Sequence, residues 1–343
     1  MAKKILVTGG TGYIGSHTTV ELQNEGFEVV ILDNLSNSDI KVLDGIEKIT
    51  GIRPTFSLTD CNDKSAVEEV VAAHPEIVGI IHFAASKAVG ESVQKPLLYY
   101  RNNIVSLLNL LELMPLYRIE GLVFSSSCTV YGQPEVLPVT EDAPVQPATS
   151  PYGNTKQINE EMIRDTIRAG APFQCIMLHY FNVIGAHPSA EIGELPVGMS
   201  QTLVPLLTRA AAGTGPELCV FGNDYNTPDG SCIRDYINVV DLAEAHVAAV
   251  HRAIGSRSAE NPETFNLGTG NGVSVLELIS TFEKATGVKV PHKIAGRREG
   301  DIAKVWANPK HANDVLGWKT RESLEDTLRS ARKWQQKIPQ NVV

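Results

Sequence analysis

The sequence predicts an α/β protein, a Rossmann-type doubly wound parallel sheet followed by a smaller C-terminal α/β lobe. Three observations carry this. Short β-branched runs alternate with longer helical patterns from residue 4 to residue 182. The runs are nearly continuous apolar stretches, as strands buried on both faces require. The first of them leads directly into a glycine-rich turn, VTGGTGYIG (Val7–Gly15).

Taken in order, KILVTGG (Lys4–Gly10) reads as the first strand and Ser16–Gly26 as the helix behind it, closed by Gly26. EVVILDN (Glu28–Asn34) is the second strand and FSLTD ends the third at Asp60; VGIIHFA (Val78–Ala84), GLVFSSS (Gly121–Ser127) and CIMLHYFN (Cys175–Asn182) follow. Beyond residue 182 the rhythm gives way to Gly/Pro-rich stretches, GAHPSAEIGELPVG and FGNDYNTPDGSC, broken by helical patterns near Leu203–Ala212 and Asp241–Ile254. The expected division is a nucleotide-binding domain over 1–182 and a substrate lobe over 183–343, with segments returning to pack on the first domain. A last amphipathic helix, Ser323–Gln335, closes the fold, and the final IPQNVV reads as loose. There is no internal repeat and no low-complexity linker.

Composition narrows the function. With 343 residues, 43% of them hydrophobic, the chain exceeds the ~250–300 residues at which one core stops growing. No apolar run approaches the ~18 residues of a membrane span, and MAKKILVTGG lacks the apolar core of a signal peptide, so a cytoplasmic, membrane-free protein is expected. Five scattered cysteines without CxxC spacing argue against a disulfide framework and against a zinc or other metal site. A net charge of −9 disfavours nucleic acid as a partner, leaving small molecules.

Gly9, Gly12 and Gly15 follow a strand and open a helix, where glycine permits a sharp turn and a close approach of backbone to pyrophosphate. Tyr13 and Ile14 belong to the same cofactor-binding turn. Eighteen residues beyond Gly15 the second strand ends in Asp33 and Asn34. An acid there accepts bonds from an adenosine ribose and repels a 2′-phosphate, which favours NAD over NADP. Asp60 suits either a bond to the adenine edge or the cap of the next helix.

In SPYGNTK (Ser150–Lys156), Ser150 suits a helix cap and Pro151 the first helical position, which puts Tyr152 and Lys156 one turn apart on one face. Of nine tyrosines, only Tyr152 has lysine four residues on. A cation favours phenolate, and lowering a phenol from ~10 to ~7 takes about 4 kcal/mol, within reach of Lys⁺ plus a nicotinamide cation in a partly dry site. Ser127 lies at the carboxyl end of a strand, 25 residues before Tyr152, and can relay or position a substrate proton.

At this point the chain resembles the extended short-chain dehydrogenase/reductase family, and within it the enzymes that epimerise UDP-hexoses at C4. The likeness runs end to end through VTGGTGYIGSHT, KAVGESVQKP, FSSSCTVYG, SPYGNTK, HYFNVIGAHPS, FGNDYNTPDG, RDYINVVDLAEAH and RREGD. The resemblance implies a tightly held NAD, reduced and reoxidised within one turnover. Tyr152 would take the 4-hydroxyl proton, Lys156 hold the nicotinamide ribose and Ser127 bond the reacting oxygen. Phe83, Ala84, Lys87, Asn102 and Tyr180 match cofactor positions; Asn182, Leu203, Phe221, Arg234, Arg298 and Asp301 match positions that hold UDP.

The chain departs from the family at Val183, where proline is usual, at Thr202, where asparagine often contacts the diphosphate, and at Cys128, where alanine is usual. Val305 matches the gate beside the sugar 2-substituent, and its small size implies room for N-acetylated hexoses as well as plain ones. The apolar stretch Leu97–Met114 and the helix after Tyr152 resemble the surfaces through which the family forms a homodimer.

Three rivals share part of this pattern. A nucleotide-sugar 4,6-dehydratase needs an acidic pair after Ser127, where Cys128 and Thr129 stand. A GDP-sugar 3,5-epimerase/reductase would use Cys128 and His187 for proton transfer, but also a dissociable NADPH that Asp33 opposes. A non-catalytic dinucleotide sensor has no need of Ser, Tyr and Lys in register.

Overall fold

The structure is a computed structural model that describes residues 3–195, 202–255, 260–298 and 301–338. Apart from Ile338, the terminal stretch expected to be loose lies outside the described residues, as do Glu299 and Gly300 of RREGD. The strands are β1 (Lys4–Thr8), β2 (Glu28–Asp33), β3 (Thr55–Leu58), β4 (Ile77–His82), β5 (Gly121–Ser125), β6 (Gln174–Tyr180), β7 (Asn182–Ile184), β8 (Leu218–Phe221), β9 (Ile233–Arg234), β10 (Tyr236–Asn238), β11 (Glu263–Leu267), β12 (Val273–Ser274), β13 (His292–Ala295) and β14 (Lys304–Val305).

Seven of these make one parallel sheet in the order β11-β6-β5-β4-β1-β2-β3. Its side chains alternate between two cores, except in β4, where the register shifts and Ile77 and Ile80 share one core and Val78 and Ile81 the other. Ile5, Val7, Val29, Ile31, Val123 and Ile176 face one side, packed with Val20 and Leu22 of helix Tyr13–Asn24 and Leu242, Ala245 and Ala249 of helix Val239–Ile254. Leu6, Val30, Leu32, Leu122 and Phe124 face the other, against Val67, Leu107, Leu110 and Ile163 from three further helices. Each such side chain taken fully from water contributes ~1.5–3 kcal/mol.

The order reverses between β1 and β4, because the chain winds outward through β2 and β3 and then returns to build β4, β5 and β6 on the other side. That reversal opens a crevice at the carboxyl ends of the strands. A third core, with Ile184, Leu207, Val220, Tyr236, Phe282 and Leu328, belongs to the C-terminal part, where β7 pairs with β10, β8 with β13, and β9 with both β12 and β14.

The strands stop about two residues before the apolar runs do. Gly9–Gly10, Phe83–Ala84 and Ser126–Ser127 have already left the sheet for the crevice loops. The first helix begins at Tyr13, with Gly12 as its N-cap, rather than at Ser16. β11 has no counterpart in the sequence reading, and it carries a segment after residue 182 back to the edge of the main sheet. Leu97–Met114 lies within a run of helix over 96–116 that widens into a π-helical turn at Arg101–Val105. Among the described residues, no helix is long and apolar enough to cross a membrane, and no His, Cys, Asp and Glu cluster is arranged to hold a metal.

Candidate active site

The glycine turn is built so that only glycine fits. Gly9 has φ +72°, and a Cβ there would lie 2.8 Å from the Ala84 nitrogen; one on Gly15 would lie 2.3 Å from the Gly9 carbonyl oxygen. Gly12 carries no side-chain cap, and its own N–H donates to Gly9 O at 3.0 Å, leaving the first-turn N–H groups of the Tyr13–Asn24 helix facing the crevice. This is a cradle for an anionic, pyrophosphate-like group, with free donors and the positive end of the helix dipole. Tyr13 points away from it, donating to Gly185 O at 2.7 Å, and Ile14 packs on the first core.

Asp33 ends β2 beside this turn. Its Oδ2 accepts from Thr11 N at 3.2 Å and its Oδ1 from Leu35 N at 2.9 Å and Ser38 Oγ at 3.3 Å, so the carboxylate is fixed before any ligand arrives. Asn34 donates to Asp60 Oδ2 at 3.3 Å, and Asp60 Oδ1 accepts from Asn62 N at 2.8 Å. The cap of the next helix is Asp63, not Asp60, which leaves Asp60 at the crevice rim. Ala84 N donates to Thr8 Oγ1 at 3.4 Å, and Thr8 Oγ1 shares a 2.7 Å bond with buried His82. Asn102, in the π-helical turn, donates to Ser86 Oγ at 3.1 Å; Lys87 is half exposed, 3.6 Å from Glu194.

Across the crevice Ser150 caps the Pro151–Arg168 helix through Gly153 N at 3.1 Å, as its sequence predicts. Lys156 is only 4% exposed; its ammonium donates to Ser125 O at 2.6 Å and lies 5.9 Å from the Tyr152 ring centroid. Ser127, just past β5, accepts from Thr129 N at 3.3 Å. Tyr180 bonds Ser125 Oγ through its hydroxyl. Burial lowers the Lys156 ammonium to about 8, while Glu160 pulls it the other way.

The expected depression of Tyr152 is not produced by the protein's own groups. Burial, reinforced by Tyr180, raises its phenol well above the ordinary value, with Ser127 opposing. The ammonium directs a bond to the Ser125 carbonyl instead of the phenol. The sequence expectation also counts a nicotinamide cation beside Lys156, a contribution that lies outside the protein's own groups.

The residues matched to UDP lie on the C-terminal part. Arg234 of β9 stands in register with Val305 of β14, and Val305 is buried with Val130, Tyr131 and Phe181, with Cys128 packed alongside. Arg298 donates to Asp301 Oδ1 at 2.6 Å and lies 5.5 Å over the Phe221 ring, which is 40% exposed. Asn182 begins β7, and Leu203 opens a helix whose N-cap, Thr202, donates its hydroxyl to Glu194 at 3.0 Å.

Several buried polar groups near these residues are not singled out by the sequence reading. The buried hydroxyl of Tyr236 and Nε2 of His246 have no partner; His246 lies between the rings of Phe83 and Tyr180, at 4.7 and 6.0 Å between centroids. Asp235, fully buried, accepts from Thr269 N, Gly270 N and Ala307 N and so ties β9 to the loop after β11 and to the chain just beyond β14. Each reads in the sequence as an ordinary polar residue; the one available signal is its place inside RDYINVVDLAEAH.

The chain is similar to known proteins along nearly its whole length. A family model described as GDP-mannose 4,6 dehydratase matches residues 6–331. A UDP-glucose 4-epimerase of Bacillus subtilis is 50% identical over 96% of this chain and 96% of its own. The crystal structure of a Bifidobacterium longum UDP-glucose 4-epimerase, in complex with NAD+ and UDP, superposes with a TM-score of 0.94 at 43% identity, over 98% of this chain and 99% of that one. A UDP-glucose-4-epimerase from Stenotrophomonas maltophila, with bound NAD and formylated UDP-arabinopyranose, gives 0.93 at 47% identity, over 97% and 98%.

Proposed function

The chain belongs to the UDP-glucose 4-epimerase family, within the extended short-chain dehydrogenase/reductases, and we infer that it interconverts UDP-glucose and UDP-galactose by inverting C4 of the hexose. NAD supplies the redox chemistry, accepting the C4 hydride and returning it to the other face, with no net oxidation. The observation that supports this reading most is the meeting, at one crevice, of the glycine turn and Asp33 with Ser127, Tyr152 and Lys156.

In this reading Tyr152 takes the 4-hydroxyl proton and Ser127 bonds the reacting oxygen. Lys156, anchored by Ser125 O, holds the nicotinamide ribose and keeps a positive charge near the phenol. Gly9, Gly12, Tyr13, Ile14 and Gly15 form the pyrophosphate turn, with Asp33, Asn34 and Asp60 at the adenosine end. Phe83, Ala84, Lys87, Asn102 and Tyr180 complete the cofactor crevice. Asn182, Leu203, Phe221, Arg234, Arg298 and Asp301 hold UDP, the arginines pairing with diphosphate oxygens, while the 4-keto sugar swings between its two faces. Residues 1–182 act mainly as the cofactor domain and 183–343 as the UDP-sugar lobe, with β11 returned to the sheet.

Dehydration is disfavoured because Cys128 and Thr129 supply no acid–base pair. Burial pushes the Cys128 thiol up to about 12, which equally unfits it for the proton transfers of a 3,5-epimerase. Val305 supports acceptance of N-acetylated hexoses, since it is small and buried beside the Ser127 turn. The exposed Val93, Leu97, Leu108 and Leu116, all on helices within residues 89–116, suit a homodimer contact, and five free cysteines suit the cytoplasm.

The test is to incubate the purified protein with UDP-galactose, and separately with UDP-GalNAc, without added cofactor, and to follow C4 epimers by proton NMR. Conversion of both is expected, and Val305→Tyr should abolish the second while sparing the first. Absence of UDP-galactose turnover even with NAD added would overturn the reading; conversion of UDP-galactose alone would overturn the Val305 argument.

A further inference from the structure

One turn beyond Lys156 on the same helix stands Glu160, a residue that the catalytic scheme above does not use. It is 1% exposed. Its Oε1 accepts from Ser126 Oγ at 2.5 Å and pairs with His179 Nε2 at 2.7 Å, while its Oε2 accepts from Arg164 at 2.8 Å. His179 continues the chain through Nδ1 to the Tyr131 hydroxyl at 2.8 Å, which donates to Asn266 Oδ1 at 2.7 Å. A carboxylate this deep is costly unless every lone pair is used, and here the bonds reach three separate elements.

The partners are the notable part. Ser126 lies between Ser125, whose carbonyl anchors Lys156, and Ser127, which faces the reacting oxygen. His179 precedes Tyr180, whose hydroxyl bonds Ser125. Each of these two groups bound to Glu160 is thus a chain neighbour of a site residue, and Glu160 itself follows Lys156 by one helical turn.

We propose that Glu160 is a positioning residue for the epimerisation, clamping the end of β5 and the end of β6 to the helix that carries Tyr152 and Lys156. The inference rests on the epimerase reading. A structural role alone would be satisfied by any packed, hydrogen-bonded group of that shape, whereas the proposal also requires the charge. The titratable groups around the Lys156 ammonium are His82 from β4, Tyr180 from β6, raised by burial to about 12 and so neutral near pH 7, and Tyr152 and Glu160 from its own helix. Burial lowers His82 to about 3 and raises Tyr152, so both are neutral near pH 7. Glu160, held down to about 2 by His179, Ser126 and Arg164 against the cost of burial, is the ionised one. Its negative charge favours the protonated form of Lys156.

The test is kcat, KM and the pH–rate profile for UDP-galactose of the NAD-loaded parent and of Glu160→Gln, which keeps the shape and an acceptor for Ser126. Expected is a fall in kcat of about 10- to 100-fold, the scale of a small misplacement at a reacting centre, with KM changed less than about threefold. The profile should also move to lower pH by about one unit, since loss of a nearby negative charge lowers the proton affinity of Lys156. A kcat within twofold of the parent, or a reduced kcat on an unmoved profile, overturns the proposal. Ser126→Ala removes one bond and no charge, so it should lower kcat about threefold on an unmoved profile, a misplacement smaller than that of the Gln variant. It decides the matter if Glu160→Gln does not fold, because parental kcat in Ser126→Ala then overturns the clamp. An inactive parent would count against the epimerase reading and not against the clamp.

Discussion

The two sides of the crevice are built differently. On the cofactor side the rim residues Asn34, Asp60 and Lys87 are exposed, but the inner groups are buried and already bonded: Asp33 has three donors, Gly9 and Gly15 leave no room for a Cβ, and His17, His82 and His246 are buried around the turn and its underlying strands. On the UDP side the charges are more exposed and spend their bonds on one another, as Arg298 with Asp301 and Arg297 with Asp224 do. The first side has its bonds set before a ligand binds; the second would exchange protein pairs for ligand pairs. Changes on the cofactor side should therefore cost stability and activity together, while changes on the UDP side should cost affinity alone.

Acidification should produce the largest effect. Burial lowers His17 and His82 to about 3 and His246 to about 4, so below ~6.5 the unfolded chain binds protons that the folded one refuses. Stability is then lost as pH falls from ~6.5 towards ~3, by about 2 kcal/mol per histidine at pH 5. Urea unfolding at pH 7.5 and pH 5 measures this, and equal midpoints would contradict it. Next, Tyr152→Phe should lower kcat by about 10²–10⁴-fold with the melting temperature and NAD content unchanged. Gly15→Ala places a Cβ against Gly9 O and should cost about 1–3 kcal/mol together with bound NAD, read by calorimetry and by cofactor released on denaturation. Arg298→Ala should cost little stability, its exposed pair with Asp301 being worth under about 1 kcal/mol, but KM for UDP-galactose should rise about tenfold or more. A comparable loss of stability in the last two variants would erase the contrast between the sides.

Much of the cofactor side is legible in the sequence, because its chemistry is local. The GxxGxxG turn after a β-branched run, the acid ending the next strand and the capped SPYGNTK helix each state their geometry within a few residues. What escapes is what only the fold brings together. Glu160 reads as a helical carboxylate, and Arg164 one turn on makes it look solvated; its burial depends on β6 delivering His179. Asp235 is one polar residue in a motif until β11 and β14 bring three N–H groups to it. β11 itself, five residues in a polar stretch, gains its strand character from pairing with β6. For Tyr152 the sequence spacing shows the lysine but not the burial that opposes it, which only the fold supplies.

The central claim is that C4 is inverted by removal and return of one hydride within one active site. It is tested most directly by turning over UDP-galactose deuterated at C4 in ordinary water, without added cofactor, and following the label in the UDP-glucose formed. Full retention of deuterium at C4 is the expected result. Washout of the label into solvent would show that a proton and not a hydride leaves C4, and would contradict the account.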